Sequence, residues 1–252
     1  MSAPVGDAEH AGRGEGFSTG GFVVEQLEVF VGPTAVVRLE ALHLRAGEIV
    51  ALVGPSGAGK TLLLRGLAGL APTAGQLWLG ERPLQQRRAH ERVRDGLAFV
   101  PQHVIELDDL IVEELLDLPA ALGGRRGPRF GRGQGPRPGR PWALFDLFEH
   151  LPGLERVVEA DVASVGAWER LAVSLAVALR SGPRVLLLDE PAAGLGDVSV
   201  ERLRASLRRL AATGIALVVA TRNLAFARSL ADHMLAVRDG RVQPFSLGEP
   251  AR

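Results

Sequence analysis

A single lysine constrains this chain more than any other residue. Lys60 sits in Gly54-Pro55-Ser56-Gly57-Ala58-Gly59-Lys60-Thr61, and every other Lys or Arg position is arginine. A compact ammonium on a flexible stem threads between the oxygens of a polyphosphate, where a planar guanidinium fork is too wide and too rigid. The octapeptide satisfies G-x-x-x-x-G-K-[ST]. In that pattern glycine-rich backbone N–H groups wrap phosphates, the lysine neutralises them, and the hydroxyl of the last residue, here Thr61, ligates Mg²⁺. The flanks agree: residues 48–53 read as a buried strand and residues 60–70 as a helix whose N-terminus points at the anion.

Composition sets outer limits. A chain of 252 residues that is 46% apolar fills the core of one α/β unit with a small inserted subdomain. Cysteine is absent, so neither disulfides nor thiolate metal sites form, and no His and carboxylate spacing suits zinc. The 29 Lys and Arg balance 29 Asp and Glu, which removes any whole-molecule attraction to nucleic acid or to an anionic membrane surface. No apolar run reaches transmembrane length, and residues 1–20 lack the hydrophobic stretch of a signal peptide. Any membrane role therefore comes through a partner.

Along the chain, residues 1–21 read as a flexible Gly-rich tail, 22–245 as one nucleotide-binding domain, and 246–252 as a short second tail. Two strand patterns, 22–31 and 36–44, precede the phosphate loop. Further strands are expected at 76–79, 96–100, 184–189 and 215–220, and helices at 111–122, 167–180, 198–210 and 224–231. Residues 123–141, rich in Gly and Pro and carrying six arginines, read as a solvated basic insertion or as a contact for lipid headgroups or RNA. Strands interleaved with helices, with a phosphate loop at one strand's carboxyl end, indicate a mostly parallel sheet.

The second chemical signal is Arg184-Val185-Leu186-Leu187-Leu188-Asp189-Glu190-Pro191, an apolar strand ending in two acids. Parallel α/β sheets place their ligands at such strand tips. With a phosphate loop in the same chain, Asp189 is expected to hold Mg²⁺ and Glu190 to orient and deprotonate the attacking water. Gln102, at a corner after Pro101, reaches Mg²⁺ and that water.

Taken in order, Gly54 to Thr61, then Phe99-Val100-Pro101-Gln102, then Leu188 to Leu195, then Ala231 to Val242 resemble the landmarks of the ABC-transporter ATPase family over nearly the whole chain from Phe22 to Val242. The phrasing around Gly96 to Gln102 and Asp189 to Leu195 is most similar to the ATPase subunits of branched-chain amino acid importers. The resemblance implies an α/β P-loop NTPase fold: a mostly parallel sheet, an antiparallel edge near the N-terminus and a helical subdomain at about 103–182. It implies ATP and Mg²⁺ as cofactors. It also implies head-to-tail pairing with a second ATPase subunit, identical or not, and attachment to membrane permease subunits at the cytoplasmic face. Two other functions stay open: a soluble ATPase of this type acting on ribosomes or nucleic acid, and a nucleotide-binding regulator without turnover.

The chain also departs from the family. The signature Leu-Ser-Gly-Gly-Gln is replaced by Val165-Gly166-Ala167-Trp168-Glu169. Serine becomes glycine, and the second glycine, which lets backbone approach phosphate, becomes tryptophan. A rival register puts Ser164-Val165-Gly166-Ala167 there, but its two extra residues turn a helix by about 200°. Arg222 stands at the family's switch histidine, where a permanent cation either holds the γ-phosphate or pairs with Glu190 and weakens it as a base. Gly196 stands where an aspartate is usual, with Asp197 beside it. Adenine stacking falls to Phe30, since the chain has no tyrosine. Each lost contact to developing charge costs on the order of 10²–10³ in rate, so normal MgATP binding with weak turnover is expected.

Overall fold

Two kinds of strand are written into this chain, and the computed structural model, which describes residues 21–102, 111–121 and 138–245, joins them in one ten-stranded sheet. β1 (Phe22–Val31) and β2 (Thr34–Leu44) alternate buried and exposed residues and pair antiparallel, as strands do when one sheet face is solvated. β3 (Ile49–Val53), β7 (Val185–Asp189) and β8 (Ala216–Thr221) are buried throughout, as continuous apolar runs are when both faces are covered. With β6 (Leu97–Val100) and β9 (His233–Arg238) they form a parallel block in the order β9-β3-β8-β7-β6. β4 (Thr73–Leu79) and the two-residue β5 (Arg82–Pro83) extend the antiparallel edge. β10 (Arg241–Pro244) joins the halves, parallel to β2 and antiparallel to β9. The expected α/β core with an antiparallel N-terminal edge is the architecture observed.

Period-two alternation splits the buried strands between two cores. Leu187 and Val218 face α1 (Lys60–Leu67) and the β1–β2 pair, where Leu63, Leu64, Leu67 and Val29 meet them. Leu186, Leu188, Leu217 and Val219 face the other way, against α5 (Ala167–Arg180) and α6 (Asp197–Ala212). Burying a leucine fully contributes about 1.5–3 kcal/mol, so each strand anchors helices on both sides.

Between β6 and β7 the described residues are helical: α3 (Val112–Ala121), α4 (Leu144–His150), short turns at Leu154–Arg156 and Val162–Ser164, then α5. α3 continues through Pro119, as expected. Arg180, 3% exposed, bolts this region together: it donates to Leu116 O and Trp142 O, both at 3.1 Å, and pairs with Asp117. α2 (Ala89–Asp95) and α7 (Leu224–Leu230) complete the set. α2 was not expected, because seven arginine-rich residues show no apolar stripe long enough to read. The expectations for residues 1–20, 246–252 and 122–137 lie outside the described residues, and with the last go most of the proposed insertion and its arginines.

The start of β3 is fixed by Asp232. Its Oδ2 accepts from Ile49 N at 2.8 Å, its own amide donates to Ile49 O at 2.8 Å, and Arg208 Nη1 reaches Oδ1 at 2.9 Å. Burial pushes the Asp232 carboxyl upward, but the Ile49 amide and Arg208 outweigh it and hold it below the ordinary aspartate range. A depressed folded value means a contribution present above the unfolded pKa of about 3.9 and lost as pH falls through the folded one. Melting curves of wild type and Asp232→Asn should therefore differ near neutral pH and converge below about pH 4; a gap that persists in acid would contradict this role.

Candidate functional site

Strand register brings the motifs together. Val53 lies opposite Thr221, Ala220 opposite Asp189, and Leu188 opposite Val100. Neighbouring strands run about 4.8 Å apart, so β3, β8, β7 and β6 end along one edge. The residues that follow them, Gly54, Arg222, Glu190 and Pro101-Gln102, emerge side by side.

The loop after β3 is shaped for an anion. A Cβ on Gly54 would collide with the Val237 carbonyl, so glycine lets β9 run against the loop's mouth. Gly59 caps α1 with φ of 105°, a conformation side chains resist, and its Cβ position lies 2.7 Å from Val37 Cγ2. The Ala58 amide is spent on Pro55 O at 3.3 Å, whereas the amides of Gly57, Gly59, Lys60 and Thr61 donate to no loop carbonyl. These donors open at a helix N-terminus, where the dipole adds to them.

Lys60 is 5% exposed and fully engaged. Its ammonium donates to Gly54 O at 2.7 Å and Pro55 O at 2.9 Å, and lies 3.3 Å from Glu190 Oε1. Glu190 crosses from the tip of β7 with φ of 45°. A left-handed non-glycine residue costs about 1–2 kcal/mol, and three contacts hold it there: its amide donates to Ala220 O at 2.8 Å, Oε2 accepts from Arg222 N at 3.1 Å, and Oε1 meets Lys60. A phosphate oxygen and the Glu190 carboxylate compete for one ammonium.

The other expected residues lie at the ends of the neighbouring elements. Asp189 ends β7 and is 3% exposed, while Thr61, on the first turn of α1, and Gln102, two residues past β6, are exposed. A carboxylate, a hydroxyl and an amide carbonyl are oxygen donors suited to a hard cation. Among the described residues no group of three or more His, Cys, Asp or Glu could cage a metal. Such oxygen donors are of the kind that suit Mg²⁺, which binds through one or two protein oxygens and completes its shell with phosphate and water.

Three placements were not legible beforehand. Arg222 does not neutralise Glu190 through its guanidinium. Its main-chain amide makes that contact and its side chain, exposed, forms no ion pair among the described residues; the counter-charge of Glu190 is Lys60. Phe30 is half-buried opposite Ala35 with its amide tied to Pro72 O at 3.0 Å, and the residue of that hairpin that touches the loop is Val37. The turn after β9 also supports the loop, Gly240 N donating to Ala58 O at 3.2 Å; the Asp239-Gly240 pair is the sequence signal for it.

α5 revises the reading of the altered signature. The helix opens at Gly166, and Ser164 lies before it in a separate turn with its hydroxyl donating to Asp161 O at 2.7 Å. Trp168 does not stand over the helix N-terminus. It is 3% exposed, shares the buried face of α5 with Ala172, Leu175, Ala176 and Leu179, and donates Nε1 to Pro152 O at 2.9 Å. Glu169, third residue of the helix, stands beside its start, Oε2 lying 2.6 Å from the position a Cβ on Gly166 would take.

The competition at Lys60 is measurable. Glu190→Gln removes the competing charge of this largely buried pair and should tighten MgATP binding about fivefold in calorimetric titration, a gain of about 1 kcal/mol. Unchanged or weaker affinity would show that Glu190 does not restrain Lys60.

Comparison with known proteins agrees with this geometry. The family model described as ABC transporter matches residues 40–193. The chain is 35% identical over 219 residues to the sulfate/thiosulfate import ATP-binding protein CysA of Brucella melitensis, across 82% of this chain and 56% of that protein. It is 30% identical over 213 residues to the lipopolysaccharide export system ATP-binding protein LptB of Acidithiobacillus ferridurans, across 82% of both. The chain spans little more than half the length of the CysA relatives it matches. A nucleotide-free ATP-binding cassette from an ABC transporter superposes with a TM-score of 0.71 at 17% identity over 88% of each chain. A dimeric bacterial ABC transporter cassette does so at 0.70 and 22%, over 88% of this chain and 96% of that one. Motif order, site geometry and these likenesses converge: the chain belongs to the ABC transporter family and carries its ATP-binding domain.

Proposed function

We propose that this chain is the ATP-binding subunit of a membrane transporter, binding MgATP at Lys60 and passing the energy of binding and hydrolysis to permease subunits. The observation that carries it is the meeting of Lys60 and Glu190 at 3.3 Å in the mouth of an amide-lined loop. In this reading the loop residues Gly54, Pro55, Ser56, Gly57, Ala58 and Gly59 cradle the phosphates and Phe30 flanks the adenine. Thr61, Asp189 and Gln102 hold Mg²⁺, which supplies charge neutralisation between the phosphates. Glu190, released from Lys60 by the entering phosphate, takes a proton from water, and Arg222 stands beside it as a fixed cation. Among the described residues no helix is long and apolar enough to cross a membrane, so attachment falls to permease partners, at the cytoplasmic face. Pairing with a second ATP-binding subunit completes the arrangement.

Turnover by the isolated chain is expected to be weak. Gly166 offers no hydroxyl, and the Glu169 carboxylate beside it adds negative charge where a second subunit's triphosphate would be held.

Titration of the purified chain should give MgATP binding that Lys60→Ala abolishes, with hydrolysis near background; undiminished affinity in Lys60→Ala would end the proposal. Restoring the signature tests the account of turnover. Gly166→Ser with Glu169→Gln should raise steady-state hydrolysis by about 10²-fold, the scale of one donor to developing charge, and no increase would place the defect elsewhere.

A further inference from the structure

Three cations are buried among the described residues: Lys60, Arg92 and Arg180. Lys60 faces Glu190 and Arg180 faces Asp117. Arg92, 2% exposed, forms no ion pair among the described residues; its partners are carbonyls. Nη1 donates to Gly66 O at 2.9 Å and Leu67 O at 2.7 Å, and Nε to Arg87 O at 3.0 Å, with Gln85 O 3.5 Å from Nη2. Two of these carbonyls close the last turn of α1, and the other two precede α2. Burial pushes the guanidinium below its ordinary value, yet arginine stays charged at any physiological pH.

A buried charge without a counter-ion is costly, and apolar residues of similar volume commonly stabilise such sites. The position of Arg92 indicates what the charge does there. α1 has eight residues, too few to hold its shape in water unaided, so both ends depend on their surroundings. Its N-terminal end carries the phosphate loop. Its C-terminal end presents the carbonyls of Gly66, which also accepts from Gly69 N at 3.0 Å, and Leu67, together with the negative pole of the dipole, and a buried guanidinium answers them. Gly69 makes room for it, a Cβ there falling 3.0 Å from Arg92 Nε. α2 then passes through Gly96 into β6, the strand that delivers Gln102. The helix is about 12 Å long and stiff, so a tilt at its foot displaces the loop at its head.

We propose that Arg92 is a positioning residue for the nucleotide site, clamping the foot of α1 to α2 and so fixing the phosphate loop and the approach of Gln102 together. The inference rests on the proposed nucleotide-binding function for its affinity readout and is independent of it in its exchange readout.

The test uses the full chain with Arg92→Met and Arg92→Lys, measuring MgATP affinity well below the melting temperature and amide hydrogen exchange by mass spectrometry. Arg92→Met should raise the Kd about tenfold and speed exchange across residues 54–64, while β7 and β8 keep wild-type protection. Arg92→Lys, which retains a donor and charge, should recover part of both. If Arg92→Met fails to fold, Gly69→Ala, which crowds the guanidinium without removing it, should shift affinity and exchange the same way. A lowered melting temperature with wild-type Kd and wild-type exchange over residues 54–64 would overturn the proposal. Should the wild type itself bind no MgATP, the proposed function falls while the exchange arm still decides the role of Arg92.

Discussion

The site depends on parallel strands keeping register. β3, β8, β7 and β6 bury both faces, and a slip of one residue in any of them would exchange the two cores that their alternate side chains fill. That penalty falls on about twenty apolar side chains, far more than any contact among the polar groups at the strand tips supplies. The apolar pattern therefore aligns the carboxyl edge, and the chemistry inherits the alignment. Lys60 and Glu190 meet because Val53, Thr221, Ala220 and Asp189 are matched across three strands, not because the ion pair draws them together.

The molecule supplies its own counter-charges at three places. Glu190 occupies the Lys60 ammonium, Glu169 lies beside the start of α5, and Arg92 meets the C-terminal carbonyls of α1. Each satisfies a helix pole or a buried charge that would otherwise be left to solvent. They differ in consequence. The Lys60 contact is one that an entering phosphate replaces with a stronger version of itself. Glu169, half-buried, adds a carboxylate next to an exposed glycine, where the helix pole favours negative charge. Arg92 lies too deep to exchange partners, and its part is geometric.

Most of this was legible where a residue type has few uses. The phosphate loop, the acids at 189 and 190, and the apolar strands announce themselves, since glycine, lysine and unbroken aliphatic runs tolerate few alternative contexts. Orientation was less legible. Trp168 occupies a position where bulk suggests obstruction, yet its place on the face of Ala172, Leu175 and Leu179 turns it into the core; the helical period carried that information, and local motif comparison hid it. Arg222 was expected to act through its side chain, whereas its amide makes the contact, and every residue other than proline offers the same amide. Arg92 and α2 were invisible because a buried arginine and a short polar helix look like surface in sequence.

The family is broad enough that fold and site leave the cargo undetermined, since its members named above serve import of sulfate and export of lipopolysaccharide with one architecture. What distinguishes this chain is the contrast between its two functional ends. On the side of α1, Lys60 and Glu190 meet at a glycine-rich loop, and Arg92 holds the helix at its other end. On the side of α5 the helix opens at Gly166 with the Glu169 carboxylate beside it, so the two helix starts that face the sheet's loops carry opposite charge next to their N-terminal poles.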